Sequence, residues 1–146
     1  TKHIIRNYVM SVSILIISDG DIGTSLISTA KQMIGHSTLK IKALNANIDL
    51  DTNIEATLDE LYTKASSLVK EIDQGDGVLI LTDLFGSTPS NIARRLYDKN
   101  NISIVTGVNL SMIICILNSP DYLNLEAITE RACSGGIDGI KIREFH

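Results

Sequence analysis

The stretch Val12-Ser13-Ile14-Leu15-Ile16-Ile17-Ser18-Asp19-Gly20-Asp21-Ile22-Gly23, "VSILIISDGDIG", sets an apolar, β-branched run against a polar turn that carries two carboxylates. A run of that length and composition predicts a buried strand. The segment after it, Ile22 to Ile34, predicts a helix, with Asp21 as its N-cap and Gly35 as its stop. A strand that turns directly into a helix is the building unit of a parallel sheet.

That unit recurs along the chain. Val- and Ile-rich runs stand at Leu39 to Leu44, Val78 to Thr82 and Ile102 to Thr106, with helix-length segments between them. The segment Asn53 to Asp73 carries Ile54, Leu58, Leu61, Ala65, Leu68 and Ile72 at spacings of three and four, one buried stripe, and "DQGDG" ends it. A third helix opens at "STPSN", with Thr88 as the cap and Pro89 at the first helical position, where its missing N–H costs nothing. Shorter helices are predicted near Ser111 to Leu117 and Asp121 to Ala132. The stretch "SGGIDG" then reads as a turn and "IKIRE", from Ile140, as a short edge strand. Alternating strands and helices predict an α/β fold: an open, mostly parallel sheet of order 2-1-3-4 with helices on both faces.

With 146 residues the chain has the size of one domain, expected over 10–146, with 1–9 as an N-terminal extension without a function. Hydrophobic residues make up 44% and charged residues 21%, which excludes a disordered chain. A formal charge of −4 leaves no basic surplus for a nucleic-acid partner. No apolar run approaches the roughly 20 residues that cross a bilayer, and no signal peptide precedes the first strand, so a cytoplasmic location is expected. Cys115 and Cys133 lack metal-ligand or CxxC spacing and read as buried free thiols.

In an open α/β sheet, ligands bind beyond the carboxyl ends of the strands, where strand order reverses. Here that point lies between the first and third strands, flanked by "SDGDIG" and "TDLFGSTPSN". Asp19 and Asp83 are expected to face each other across the crevice, and two close carboxylates raise one pKa unless a cation or strong donor intervenes. The third helix aims its N-terminal N–H groups, with the Ser87 and Thr88 hydroxyls, into the same space, an arrangement that attracts anions. The residues by themselves thus describe an acidic crevice suited to phosphate.

"GDGVLILTDLFGSTPSNIARRL" followed by "VTGVNLSMII" closely resembles the enzyme IIA component of the mannose/fructose family in the bacterial phosphoenolpyruvate-dependent sugar phosphotransferase system. The resemblance implies a homodimer in which the C-terminal strand is exchanged between subunits. It implies no cofactor and no metal. It also implies phosphoryl relay: a histidine on the loop after the first strand accepts phosphate from the HPr phosphocarrier and passes it to a IIB component, which serves a membrane permease in sugar uptake. By motif position the orienting aspartate is Asp83 and the phosphoryl-contacting hydroxyl is Thr88. Gly20, Phe85, Gly86 and Ser87 supply the phosphate-binding loop positions.

The acceptor position departs from this pattern, because Asp19 stands where the family keeps its histidine. His36 is expected about 20 Å away, at the far end of the first helix, and His3 and His146 are terminal. Several readings of Asp19 stay open: a fixed charge that imitates the phosphorylated histidine in a non-transferring regulator, an acyl-phosphate acceptor with Mg²⁺ held by Asp19, Asp21 and Asp83, or a substituted acceptor. Ser87 stands where the family often has a second glycine, and it strains the loop if the position needs positive φ.

Overall fold

The computed structural model describes residues 11–47 and 54–143. Four strands form one parallel sheet: β1 (Ser13–Ser18), β2 (Ile41–Asn45), β3 (Val78–Thr82) and β4 (Ile102–Val105), in the order β2-β1-β3-β4. Five helices connect and follow them: α1 (Ile22–Ile34), α2 (Ile54–Ile72), α3 (Thr88–Leu96), α4 (Leu110–Leu117) and α5 (Leu125–Asp138). The predicted fold class and strand order therefore hold.

Side-chain alternation along the strands builds two apolar layers. Ile14, Ile16, Leu79 and Leu81 face one way and are covered by Ala30 of α1, Met112, Ile113 and Ile116 of α4, and Ile128 and Ala132 of α5. Leu15, Ile17, Val78 and Ile80 face the other and are covered by Leu61, Ala65, Val69 and Ile72 of α2, with Ile92, Ala93 and Leu96 of α3. β1 and β3 are buried along their whole length. That is why both read as unbroken apolar runs with no polar alternation. Register pairs Ile17 with Thr82, so β1 and β3 end side by side and deliver their following turns to one edge.

Several elements differ from the sequence reading. α5 starts at Leu125, where Asn124 caps it by accepting the Ala127 N–H at 2.9 Å, and it runs through "SGGID" where a turn was expected. The glycines survive inside the helix because α4 packs against them: a Cβ on Gly135 would lie 2.5 Å from Cys115 Cβ, and one on Gly136 would lie 2.8 Å from Met112 Cε. Close helix approach thus overrides the low helix propensity of glycine. Residues 140–143 form no strand, and Glu144 lies outside the described residues. Cys133 is exposed and Cys115 half-buried, both as free thiols, so neither is the fully buried thiol expected. The extension 1–9, His3, His146 and Asn53 also lie outside the described residues.

Candidate functional site

The turns after β1 and β3 meet through one carboxylate. Asp83 Oδ2 accepts the backbone N–H of Asp19 at 2.9 Å, while Oδ1 accepts the Leu84 N–H at 2.7 Å and the Ser87 hydroxyl at 2.7 Å. The Asp83 backbone carbonyl accepts the Gly107 N–H at 2.7 Å, and the Thr82 carbonyl accepts the Val108 N–H at 2.9 Å, which ties in the loop after β4. Asp83 therefore joins three strand-end loops at the edge where the strand order reverses. Burial pushes its carboxyl pKa up, but the donors from Asp19, Ser87 and Leu84 outweigh burial and hold the pKa below its ordinary value. What meets Asp83 from across the crevice is the Asp19 N–H, and no destabilising contact between the two carboxylates is needed to bring the loops together.

Asp19 projects its side chain outward. It is exposed, and its carboxylate accepts no hydrogen bond among the described residues. The Gly20 N–H is already engaged by Asn47 Oδ1 at 2.7 Å, so the loop after β2 joins the same edge. Sequence reasoning missed Asn47, although its place at the carboxyl end of a strand was a usable signal. Asp21 occupies the N-cap position of α1 without a side-chain capping bond. The first turn is held instead by Ser18, whose hydroxyl accepts the Gly23 N–H at 3.0 Å. Among the described residues no group of three His, Cys, Asp or Glu side chains is placed to hold a metal ion, so the Mg²⁺ cluster of Asp19, Asp21 and Asp83 does not form.

The cap of α3 is Ser87, one residue earlier than expected. Its hydroxyl accepts the Ser90 N–H at 3.2 Å, which places Thr88 and Pro89 inside the first turn. Ser87 has φ −69°, ordinary extended backbone, and the left-handed step falls on Gly86 at φ 86°. The feared strain at Ser87 is therefore absent, because the glycine beside it makes the turn. The N–H groups of Phe85, Gly86 and Thr88 donate to no protein group among the described residues. Together with the positive end of the α3 dipole they form a cradle for an anion. Thr82, one residue before Asp83, is fully buried, lies on the α3 side of the sheet by strand alternation, and its hydroxyl has no hydrogen-bond partner among the described residues.

Leu84, 71% exposed, and Phe85, 82% exposed, rim the crevice with apolar surface that a monomer leaves in water. A larger cavity of about 660 Å³ lies at the opposite edge of the sheet, lined by Ser11, His36, Lys40 and Asp121 among others. His36 therefore stands at the amino end of the strands, away from Asp19 and Asp83, as expected. The polar loops after β1, β3 and β4 converge on the other edge.

Comparison with known proteins agrees with this fold. The sequence signature of the family described as "PTS system fructose IIA component" matches residues 13–133. The mannose-specific EIIAB component of the phosphotransferase system from Escherichia coli (strain K12) is 25% identical over 135 residues, covering 90% of this chain and 39% of that protein. The transcriptional regulatory protein LevR of Bacillus subtilis (strain 168) is 26% identical over 117 residues, covering 78% of this chain and 11% of that protein. This chain thus spans well under half the length of these curated relatives. The crystal structure of the phosphotransferase system component EIIA from Streptococcus agalactiae superposes with a TM-score of 0.70 at 22% identity, covering 90% of this chain and 96% of that one, which shows the shared fold. Since the family signature takes in all four strands and the three loops that Asp83 joins, the chain belongs to the fructose IIA component family of the phosphotransferase system.

Proposed function

We infer that this chain works as a IIA module of a sugar phosphotransferase system. It docks a histidine-phosphorylated, HPr-like carrier on the carboxyl edge of the sheet and stands between that carrier and a IIB component. The IIB component serves a membrane permease in sugar uptake. The observation that carries this reading is the anion cradle of Phe85, Gly86 and Thr88 N–H groups beside Asp83, rimmed by exposed Leu84 and Phe85. Asp19 takes the place of the acceptor histidine, and Thr88, at the start of α3, is the residue whose hydroxyl contacts the phosphoryl group. Titration of the isotopically labelled protein with HPr tests the reading: amide shifts at Asp19 to Gly23 and Leu84 to Thr88 are expected. An unperturbed spectrum at saturating carrier refutes it.

A second reading is a non-transferring regulatory module that binds the same partners. The exposed carboxylate of Asp19, which accepts no hydrogen bond among the described residues, favours it, as does the likeness to a transcriptional regulator. The two separate when a IIB protein is added to the phosphorylated mixture: relay moves the phosphoryl group onward, and a regulator does not.

The same reading makes the chain a homodimer in a cytoplasmic setting, with residues 140–144 paired along β4 of a second copy. The outer edge of β4 carries no strand among the described residues, and Ile140 and Ile142 are 77% and 95% exposed. Light scattering that finds a monomer at micromolar concentration rejects the dimer. No helix among the described residues is long and apolar enough to cross a membrane.

A further inference from the structure

We propose that Ser87, and not Asp19, is the residue of this domain that takes a phosphoryl group from a histidine-phosphorylated protein. The inference rests on the docking of such a carrier at the Asp83 crevice. Three features of the chain bear on the Ser87 hydroxyl. Its proton is held by Asp83 Oδ1 at 2.7 Å, the relation of a nucleophile to its base. Its oxygen stands at the N-terminus of α3, next to the free N–H groups of Phe85, Gly86 and Thr88, where the incoming charge is best received. The third feature is Thr82, one residue before Asp83 and on the α3 side of the sheet by strand alternation, fully buried with a hydroxyl that has no hydrogen-bond partner among the described residues. Asp19 has none of these: its carboxylate is exposed and accepts no hydrogen bond among the described residues, and its backbone N–H is fixed on the other oxygen of Asp83.

A cap by itself needs only the 3.2 Å bond from the Ser90 N–H. The second bond, from the hydroxyl to Asp83, is surplus to capping and sets the proton on the side of a carboxylate that is ionised at neutral pH. The step balances without a further reactant. The N–P bond of the carrier's phosphohistidine breaks and the Ser87 Oγ–P bond forms. The Ser87 proton passes to Asp83 Oδ1 and then to the released imidazole nitrogen. Phosphoryl transfer asks the protein mainly for position and charge stabilisation, which an aspartate beside the hydroxyl and a helix N-terminus supply. The product is a phosphate ester, lower in transfer potential than a phosphoramidate, so the group stays on the domain as a mark, as in the second, non-transferring reading of the module. The phosphoryl group also displaces the Ser87–Asp83 hydrogen bond, because two anions now face each other, and turns toward the α3 N–H groups.

The test incubates the protein with phosphoenolpyruvate, enzyme I and HPr, followed by intact mass, fragment mapping and chemical lability of any adduct. The expected result is one phosphoryl group on Ser87, stable to acid and to hydroxylamine. It is lost in Ser87→Gly, which keeps a tolerated cap residue, and regained in Ser87→Thr, which restores a hydroxyl. A hydroxylamine-labile adduct mapped to Asp19 overturns the inference and leaves the proposed function standing. So does no adduct on the natural chain when Asp19→His accepts an acid-labile one. No adduct on either protein, with no amide shifts on adding HPr, overturns the proposed function together with the inference.

Discussion

The turn after β1 and the turn after β3 look alike in sequence: an apolar strand, an aspartate, a glycine with positive φ, then a helix. Gly20 at φ 58° and Gly86 at φ 86° make the same kind of backbone reversal. Their aspartates nevertheless do opposite things. Asp83 is half-buried and accepts from three donors, whereas Asp19 is exposed and contributes only its N–H. The helix caps are inverted too, since Ser87 caps α3 with its side chain and Asp21 does not cap α1. The residue type of a turn therefore states what bonds are possible, and neighbouring strand ends decide which are made.

Removing Asp83 should have the largest effect. Asp83→Ala leaves the Asp19 and Leu84 N–H groups and the Ser87 hydroxyl without their acceptor. Partial access to water limits the cost to about 2 kcal/mol, read from the urea unfolding midpoint. Asp19→Ala, which keeps the N–H, should be close to neutral by the same measurement. Equal losses would break the contrast between the two turns.

Acid should erode the same bonds more gradually. The folded-state pKa of Asp83 lies below its ordinary 3.8, so its stabilisation is fully present above that value and is lost as pH falls through the lower, folded-state pKa. Thermal unfolding followed from pH 5 downward, a range set by roughly one unit above the free carboxylate value, should show a shallower decline in Asp83→Asn than in the natural chain. Identical slopes would mean that Asp83 gains nothing from its donors.

Next in size, Ser87→Ala should cost about 1 kcal/mol, the usual effect of losing a capping side chain. Its counterpart at the smallest end is Asp21→Ala, expected to change stability by less than about 0.5 kcal/mol, because no capping bond is lost. A loss at Asp21 as large as that at Ser87 would show that the cap of α1 forms in solution after all.

Other differences from the sequence reading have the same origin. Thr88 and Ser87 are both acceptable caps, and only Asp83, which holds the Ser87 hydroxyl from four residues back, distinguishes them. "SGGIDG" carries two adjacent glycines and a third after the aspartate, which signals a turn when the chain is read locally. The close approach of α4 at Cys115 and Met112 is what makes a helix of it. "IKIRE" alternates as a strand does, yet residues 140–143 have no strand beside them among the described residues. Exposure of Cys133 depends on which face α5 turns outward, and it turns Ile128, Ala132 and Gly136 inward.

What the sequence determined by itself was the order of strands and helices, the two apolar layers and the edge of the sheet where the polar loops gather. Those follow from short-range periodicity and from loop chemistry that each segment carries within itself. Tertiary structure alone decided that Asp83 accepts the Asp19 N–H in place of facing its carboxylate, and that the Asp19 carboxylate accepts no hydrogen bond among the described residues. The Asp83 bond to Asp19 joins residues 64 apart in the chain. A hydrogen bond of that kind exists only once β1 and β3 lie side by side, so no local pattern can announce it.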